Sequence, residues 1–272
     1  MSTEKKYANN LTFLGKQLLN KVPEITIFFW IIKILCTTVG ETAADFLNMD
    51  LNFGLTLTTY VMSALMLIIL AVQVMSKKYI AGLYWLVVVF ISVVGTLITD
   101  NLTDNLGVSL QTSSIVFSII LAAVFAGWYW SEKTLSIHSI RTRKRELFYW
   151  ATILFTFALG TAVGDLIAEQ FSVGYLLSIV LFGVIIAAVT VAHYKFKLNA
   201  VLAFWIAYIL TRPFGASFGD LLSQPTDAGG LGLGVVGTSA IFLVLIVLFV
   251  GYLVRTKKDV ISDTSIATQK PS

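Results

Sequence analysis

A Trp–Gly–Asp spacing recurs four times along the chain and constrains its fold more than any other feature. Each copy places a Gly ten residues and an Asp fifteen residues after a Trp, inside a strongly apolar segment. The same spacing at four places indicates an internal repeat, in which one supersecondary unit packs against its neighbours. The copies are Trp30–Gly40–Asp45, Trp85–Gly95–Asp100, Trp150–Gly160–Asp165 and Trp205–Gly215–Asp220.

Composition places these repeats in a membrane. Of 272 residues, 57% are hydrophobic and 12% are charged, and the mean hydropathy is +0.85. These values predict an all-α integral membrane protein, and nothing in the chain resembles a soluble catalytic domain, so we expect no enzyme. Eight segments are long enough to cross a bilayer, two in each repeat: 24–47, 55–76, 80–103, 108–130, 147–169, 173–194, 199–222 and 232–254.

Basic residues set the expected orientation of these segments. They cluster after every second segment, whereas the opposite loops at 48–54, 104–107, 170–172 and 223–231 contain no Lys or Arg. The positive-inside rule then places both termini in the cytosol, and we expect a multi-pass protein of the bacterial cytoplasmic (inner) membrane. The clusters are Lys77 and Lys78; Lys133, Arg141, Arg143, Lys144 and Arg145; Lys195 and Lys197; and Arg255, Lys257 and Lys258.

An even number of helices in each unit makes the four repeats parallel, related by an axis along the membrane normal. We expect a pseudo-twofold or pseudo-fourfold bundle. Its two four-helix halves are residues 23–130 and 147–254, joined by a basic cytosolic linker at 131–146. The predicted cytosolic tails are residues 1–22 and 255–272.

Small residues mark the expected contacts between helices. Each repeat carries a pair of small residues four apart on its first helix, which lets helix backbones approach closely. We therefore expect the first helices to cluster centrally and the second helices to face lipid. The pairs are Gly40/Ala44, Gly95/Thr99, Gly160/Gly164 and Gly215/Gly219.

The four repeated acids are the main candidates for a binding site. An intramembrane carboxylate is costly, so its recurrence at one offset indicates function. The other reading, that the acids only solvate an outer loop, does not explain the fixed offset. Asp45, Asp100, Asp165 and Asp220 are predicted to bind a metal cation, and Glu41, Asp104 and Glu169 extend the site along the same helix faces.

Two bases are expected near these acids. Lys33 stands three residues after Trp30, and we expect it to extend to the cytosolic interface or to compensate charge. Arg212 precedes Pro213, which removes a helix hydrogen bond, and is expected to pair with an acid of a neighbouring helix as a gate or release element. Seven acids against two bases favour cations over anions.

Ligand type narrows the cation. The predicted site offers carboxylates and hydroxyls without His, and Cys36 is isolated. Oxygen ligands suit hard ions such as Mg²⁺, Mn²⁺, Ca²⁺, Al³⁺ or Fe³⁺, and a ring of carboxylates suits a partly hydrated ion. Clustered carboxylates also raise one another's pKa, which provides a route to proton antiport. We expect an exporter with the metal cation and protons as cargo, the lipid bilayer as its surroundings, no permanently bound cofactor and no nucleic-acid partner; the oligomeric state is open.

Three other functions stay open at this point. A cation channel would also use an acidic ring, but no filter loop is evident. A transporter of small organic cations would need a central aromatic box, whereas most aromatics here group near the Trp positions, as interfacial belts do. An intramembrane aspartyl protease uses two Asp, whereas four equivalent Asp are present here.

Two stretches carry a resemblance to a known family. They are KVPEITIFFWIIKILCTTVGETAADFL at 21–47 and TRPFGASFGDLL at 211–222. Over residues 21–255 the chain resembles a bacterial family of uncharacterised membrane-anchored proteins, labelled as regulators of a starch-degrading amylopullulanase. The resemblance implies a membrane-anchored regulatory or interaction protein as an alternative function. No residue here is recognisable as a glucan or enzyme contact, so cation transport is the first prediction.

Overall fold

Eight helices long and apolar enough to cross a membrane are present in the computed structural model, which describes residues 20–50 and 53–260. Most of each predicted tail, residues 1–19 and 261–272, lies outside the described residues, as do the side chains of residues 49 and 50. Most helix ends lie within three residues of the predicted ones, and the largest shifts, four residues each, are at Arg143 and Asp165. The helices are α1 (Ile27–Asp45), α2 (Leu55–Met75), α3 (Ala81–Asp100), α4 (Leu110–Glu132), α5 (Arg143–Asp165), α6 (Tyr175–Phe196), α7 (Ala200–Ser223) and α8 (Gly234–Thr256).

The first helix of each repeat lies inside the bundle and the second lies outside. The inner helices are α1, α3, α5 and α7. In an apolar 18-residue stretch of each, 61–67% of the residues are buried. The outer helices are α2, α4, α6 and α8, with 17–22% buried. Within the described residues, this confirms the predicted central cluster of first helices.

The inner helices form a closed ring. Each contacts the next, α1 with α3, α3 with α5, α5 with α7 and α7 with α1. The outer helix of each repeat packs on the inner helix of the next repeat, and α8 packs on α1 to complete the circle. The four repeats are therefore arranged with pseudo-fourfold symmetry, and the two halves are not separate bundles.

Glycine makes the close contacts within this ring. The Gly ten residues after each Trp faces the residue seven residues after the Trp of the next repeat. A Cβ atom on Gly40 would overlap Ser92, one on Gly95 would overlap Phe157, and the same holds for Gly160 with Arg212 and for Gly215 with Thr37. Gly164 and Gly219 continue two of these contacts, against Pro213 and the Thr38 carbonyl. Thus the predicted small-residue packing is confirmed.

The loops before the outer helices explain a further regularity of the sequence. Gly54 and Gly174 both stand 24 residues after their Trp, and both adopt positive φ, 72° and 80°, directly before α2 and α6. This conformation costs little for Gly because it has no Cβ atom. In the second repeat Gly107 takes the positive φ, and Ser109 instead accepts a hydrogen bond from Thr112 N as an N-cap.

The bundle has two ends. The Trp end carries the four repeat Trp residues, and the Asp end carries the four repeat Asp residues.

α5 begins at Arg143, inside the predicted linker, because Thr142 accepts a hydrogen bond from Arg145 N and caps the helix.

Three segments cover the Trp end and form what we call the terminal cap: residues 20–26, 133–142 and 257–260. Lys21 N donates to Ile140 O at 2.9 Å, and Glu24 N donates to Asp259 O at 2.9 Å. The cap contacts the bundle through Trp205 Nε1, which donates to Leu135 O at 2.9 Å. Burial, followed by the nearby Asp259 carboxylate, raises the pKa of Tyr79, so the Tyr79 hydroxyl stays neutral and donates to Asp259 Oδ2.

Candidate functional site

An interlocked ring of aromatic side chains closes the centre of the bundle at the Trp end. The residue before each repeat Trp is also aromatic, and its ring packs against the Trp of the following repeat. The four ring-centroid distances lie between 5.3 and 6.2 Å, within the range for aromatic pairs. The pairs are Phe29–Trp85, Tyr84–Trp150, Tyr149–Trp205 and Phe204–Trp30.

This aromatic ring corrects the expectation of an interfacial belt. Trp85, Trp150 and Trp205 are buried inside the bundle. Tyr84 and Tyr149 also share a hydrogen bond between their hydroxyls, at 2.5 Å. The rings therefore seal the axis rather than facing outward.

Lys33 lies one helical turn further along the axis and is completely buried. Its Nζ atom donates to Tyr208 O at 3.1 Å. It also lies over the rings of Phe157 and Tyr208, at 4.8 and 4.3 Å from their centroids. The expectation that Lys33 extends to the interface is wrong, because the inner helices and these rings surround it.

Arg212 occupies the centre of the ring of inner helices. Its guanidinium is fully buried and forms an ion pair with Glu41 Oε2 at 2.7 Å. It also donates to Thr37 O at 2.9 Å, to Thr161 Oγ1 at 2.8 Å and to Thr96 Oγ1. The predicted pairing of Arg212 with an acid of a neighbouring helix is confirmed.

The contacts of Arg212 follow the repeat. Glu41, Thr96 and Thr161 each stand eleven residues after their Trp, and Ala216 holds this position in the fourth repeat. One guanidinium from the fourth repeat thus binds the equivalent position of the other three. This layer closes the axis a second time, with charge and hydrogen bonds instead of rings.

The repeat Asp residues converge one turn beyond the layer that the Arg212 guanidinium contacts, four residues after Glu41, Thr96 and Thr161. Asp45 and Asp165 interact electrostatically with each other and with both Asp100 and Asp220. Glu41 interacts with Asp100, Asp165 and Asp220. Four acids from four helices therefore face one centre, which spacing alone could not establish.

The tightest group of carboxylates contains Glu41, Asp165 and Asp220. One oxygen from each lies within 4.8 Å of the other two. Ca–O bonds of about 2.4 Å let ligands on opposite sides of one ion stand about 4.8 Å apart, whereas Mg–O bonds of about 2.1 Å require about 4.2 Å. The trio is therefore close enough to hold a hard cation directly or through its water ligands, and the 4.8 Å limit does not distinguish a large ion from a small one.

Glu41 belongs both to this trio and to the ion pair with Arg212. A cation at the trio would lie beside the guanidinium and would compete with it for the Glu41 carboxylate. Such competition links occupancy of the acidic site to the closure of the Arg212 layer.

Asp104 and Glu169 lie at the outer edge of the same site and are exposed. Asp104 interacts electrostatically with Asp100, and Glu169 with Asp165 and Asp220. The hydroxyl of Tyr175 donates to Glu169 Oε1 at 3.2 Å. These two acids extend the negative charge from the trio, in which Glu41 and Asp220 are buried and Asp165 is partly buried, to the exposed surface of the Asp end.

The backbone changes from α-helical to π-helical directly after three of the repeat Asp residues. Asp45, Asp100 and Asp165 are each the last α-helical residue before a π-helical turn, at Phe46–Asp50, Asn101–Asn105 and Leu166–Gln170. In the fourth repeat, α7 continues as an α-helix to Ser223. Single π-helical turns are frequent at functional sites, and their wider backbone loop reorients the side chains around them.

A second buried ion pair lies away from this site and was not predicted. Lys21 Nζ lies 2.6 Å from Glu146 Oε2, and Gln73 Nε2 donates to Glu146 Oε1 at 3.2 Å. Glu146 follows a run of basic residues, so its charge looked like part of a solvated linker. The pair fastens the terminal cap to α2 and α5.

Comparison with protein-family models gives four matches, at residues 28–79, 83–134, 148–199 and 203–259. Each match begins two residues before a repeat Trp, in agreement with the repeat and helix pairs described above. No curated protein and no solved structure matches the chain. The regulation of an amylopullulanase that the resemblance implies stays a prediction. Because the four matches together span most of the chain, the protein belongs to the family described as Repeat of Unknown Function (DUF347).

Proposed function

We propose that this protein is a membrane transporter of hard multivalent metal cations, which it exports in exchange for protons. One observation carries the proposal: four repeat Asp residues and Glu41 converge on the axis of a bundle whose outer helices are largely apolar. Buried carboxylates inside an apolar bundle are costly unless they bind cations, protons or bases. Among the described residues near the axis, two bases, Lys33 and Arg212, accompany the seven acids, so negative charge is in excess.

The distribution of positive charge supports an orientation for this site. The basic clusters follow the outer helices at the Trp end, and the loops of the Asp end lack Lys and Arg. By the positive-inside rule, the Trp end faces the cytosol and the acidic site faces outward. Both termini are then cytosolic, and in a bacterium the protein belongs to the inner membrane.

The two closures of the axis support a transporter over an open channel. The aromatic ring and the Arg212 layer both lie between the acidic site and the Trp end. In this conformation two closed layers separate the acidic site from the Trp end, whereas Asp45, Asp100 and Asp165 are only partly buried. Alternating access would require the aromatic ring and the Arg212 layer to open while the Asp end closes.

Metal accumulation in a bacterial host tests the proposal. The intact chain is compared with a variant in which Asp45, Asp100, Asp165 and Asp220 are all Asn, and cell content of Mn²⁺, Mg²⁺, Co²⁺, Al³⁺ and Fe³⁺ is read by mass spectrometry. We expect the intact chain to lower one metal and the Asn variant to have no effect. Asp227→Asn provides a matched control, since Asp227 is exposed in an Asp-end loop.

The opposite result is equally clear. If neither chain changes any metal although both reach the membrane, cation export is wrong. Transport of a small organic cation or binding of a partner protein then becomes the leading function.

A further inference from the structure

Lys33 is a buried cation that the acidic site does not neutralise directly. Its side chain has no exposed surface, and among the described residues no carboxylate lies within ion-pair distance of it. Its partners are a backbone carbonyl and the faces of two rings. An ammonium held this way in an apolar interior loses much of its hydration, so its neutral amine form becomes accessible.

The position of Lys33 along the axis also separates it from the carboxylates. It precedes Glu41 by eight residues on α1, which is about 12 Å at 1.5 Å per residue. The Arg212 guanidinium lies between the two. A metal cation bound at the carboxylates therefore acts on Lys33 through the electric field alone, without touching it.

We propose that Lys33 carries the proton that is exchanged for the metal cation. The inference rests on the proposed transport function and assigns the exchanged proton to an amine, separate from the carboxylates that bind the cation. Metal binding favours the neutral amine, and metal release favours the ammonium.

The exchange conserves atoms, and with a divalent cation it moves one net positive charge outward in each cycle. With the Trp end open, the cation binds and the Lys33 ammonium gives one proton to water on that side. With the Asp end and the Arg212 layer open, the cation leaves and the amine takes one proton from water there. One proton thus moves inward for each cation that moves outward.

Other titratable and charged groups surround Lys33 and must be distinguished from it. Cys36 lies one turn away on α1, and Tyr208 and Arg212 face it from α7. On α3 and α5, Tyr84 and Tyr149 of the aromatic ring lie toward the Trp end from it, and Asp100 and Asp165 lie toward the Asp end. The ionisable residues of α8, Tyr252 and Arg255, stand in its last turns. Arg212 pairs with Glu41 and Arg255 is exposed, so Lys33 is the buried cation among these groups that has no carboxylate within ion-pair distance in the described residues.

Proton release on metal binding tests the proposal with the purified full-length protein. Mn²⁺ is added in weakly buffered detergent solution, and protons are counted with a pH-sensitive dye while bound Mn²⁺ is counted by electron paramagnetic resonance. The variants are Lys33→Met and Lys33→Arg. Lys195→Met is the matched control, because Lys195 is exposed on α6.

We expect both Lys33 variants to release about one proton fewer per bound Mn²⁺ than the wild type. Their affinities should move in opposite directions. Mn²⁺ carries two charges, so a unit charge about 12 Å away in a medium of effective dielectric constant about 20 changes its binding constant about a hundredfold. Lys33→Met should bind Mn²⁺ more tightly at low pH, and Lys33→Arg should bind it more weakly. Because each variant alone measures the number of protons released per bound Mn²⁺, the test still works if one of the two variants fails to fold.

Each other outcome decides a different question. Equal proton release from the wild type and a Lys33 variant, with Mn²⁺ bound to both, overturns the assignment to Lys33 while the cation site stands. A wild type that binds neither Mn²⁺ nor any other metal of the panel overturns the proposed function itself.

Discussion

Arg212 shows how one residue position has diverged among four equivalent repeats. The corresponding residues, seven after the Trp, are Thr37, Ser92 and Phe157. Eleven after the Trp, the first repeat supplies the acid Glu41 and the second and third supply Thr hydroxyls. The charge pair at the centre is thus built from two different repeats, while the outer ring of Asp stays fourfold.

Replacing Arg212 by Gln should have two opposed effects. Removing one partner of a buried ion pair leaves Glu41 unpaired, and this type of loss costs about 3–5 kcal/mol of stability. At the same time the competing positive charge beside the carboxylates disappears, so metal binding should tighten by about tenfold or more. Thermal unfolding and Mn²⁺ titration of the purified variant measure the two effects.

The double variant Glu41→Gln with Arg212→Gln provides the control. It should regain part of the lost stability, because neither member of the pair is left as an isolated charge. Weaker metal binding by Arg212→Gln alone would contradict competition between the guanidinium and the cation.

At the scale of single helices, backbone approach decides which face of each inner helix is buried. A Cβ atom on Gly95 would lie 2.7 Å from Phe157 Cβ and 3.2 Å from Ala158 N, so α3 and α5 would have to separate. Gly251 on the outer helix α8 has no neighbouring atom within 4 Å of such a Cβ atom. The same substitution therefore meets two different environments.

We expect Gly95→Ala to destabilise the protein by about 1–3 kcal/mol, the usual effect of overpacking. Gly251→Ala should be neutral or stabilising, by up to about 1 kcal/mol, since Ala has the higher helix propensity. Thermal unfolding in detergent, read by size-exclusion chromatography, compares the two. Equal destabilisation would contradict the close approach of α3 and α5.

The whole molecule combines a closed Trp end with an open, acidic Asp end. In the proposed orientation, Leu106 lies outside the cell and Lys133 lies inside it. Leu106→Cys, on a Cys36→Ser background, should react with a membrane-impermeant thiol reagent in intact cells. Lys133→Cys should react only after permeabilisation. The reverse labelling pattern would show that the orientation is opposite to the proposed one, with the acidic site facing the cytosol.

Most of the fold could be predicted from the sequence, because apolar segment length, repeat spacing and small residues each report on local properties of a helix. The repeat Asp residues could also be predicted as a site, because their fixed spacing from the Trp is visible within each repeat. The sequence did not show that Lys33 is enclosed or that the Trp residues interlock, because both depend on contacts between helices from different repeats. The Lys21–Glu146 pair was equally hidden, since its partners are 125 residues apart. The aromatic residue before every repeat Trp was the available signal for the ring.

Direct binding of a metal cation to the purified protein tests the central claim, that the convergent carboxylates form a cation site. Mn²⁺ titration followed by electron paramagnetic resonance compares the wild type, the variant with all four repeat Asp changed to Asn, and Asp227→Asn. We predict that the wild type and Asp227→Asn bind Mn²⁺ alike, and that the fourfold variant loses this binding while keeping its elution profile. Equal Mn²⁺ binding by all three proteins would contradict the claim, because the bound ion would then lie away from the four Asp residues.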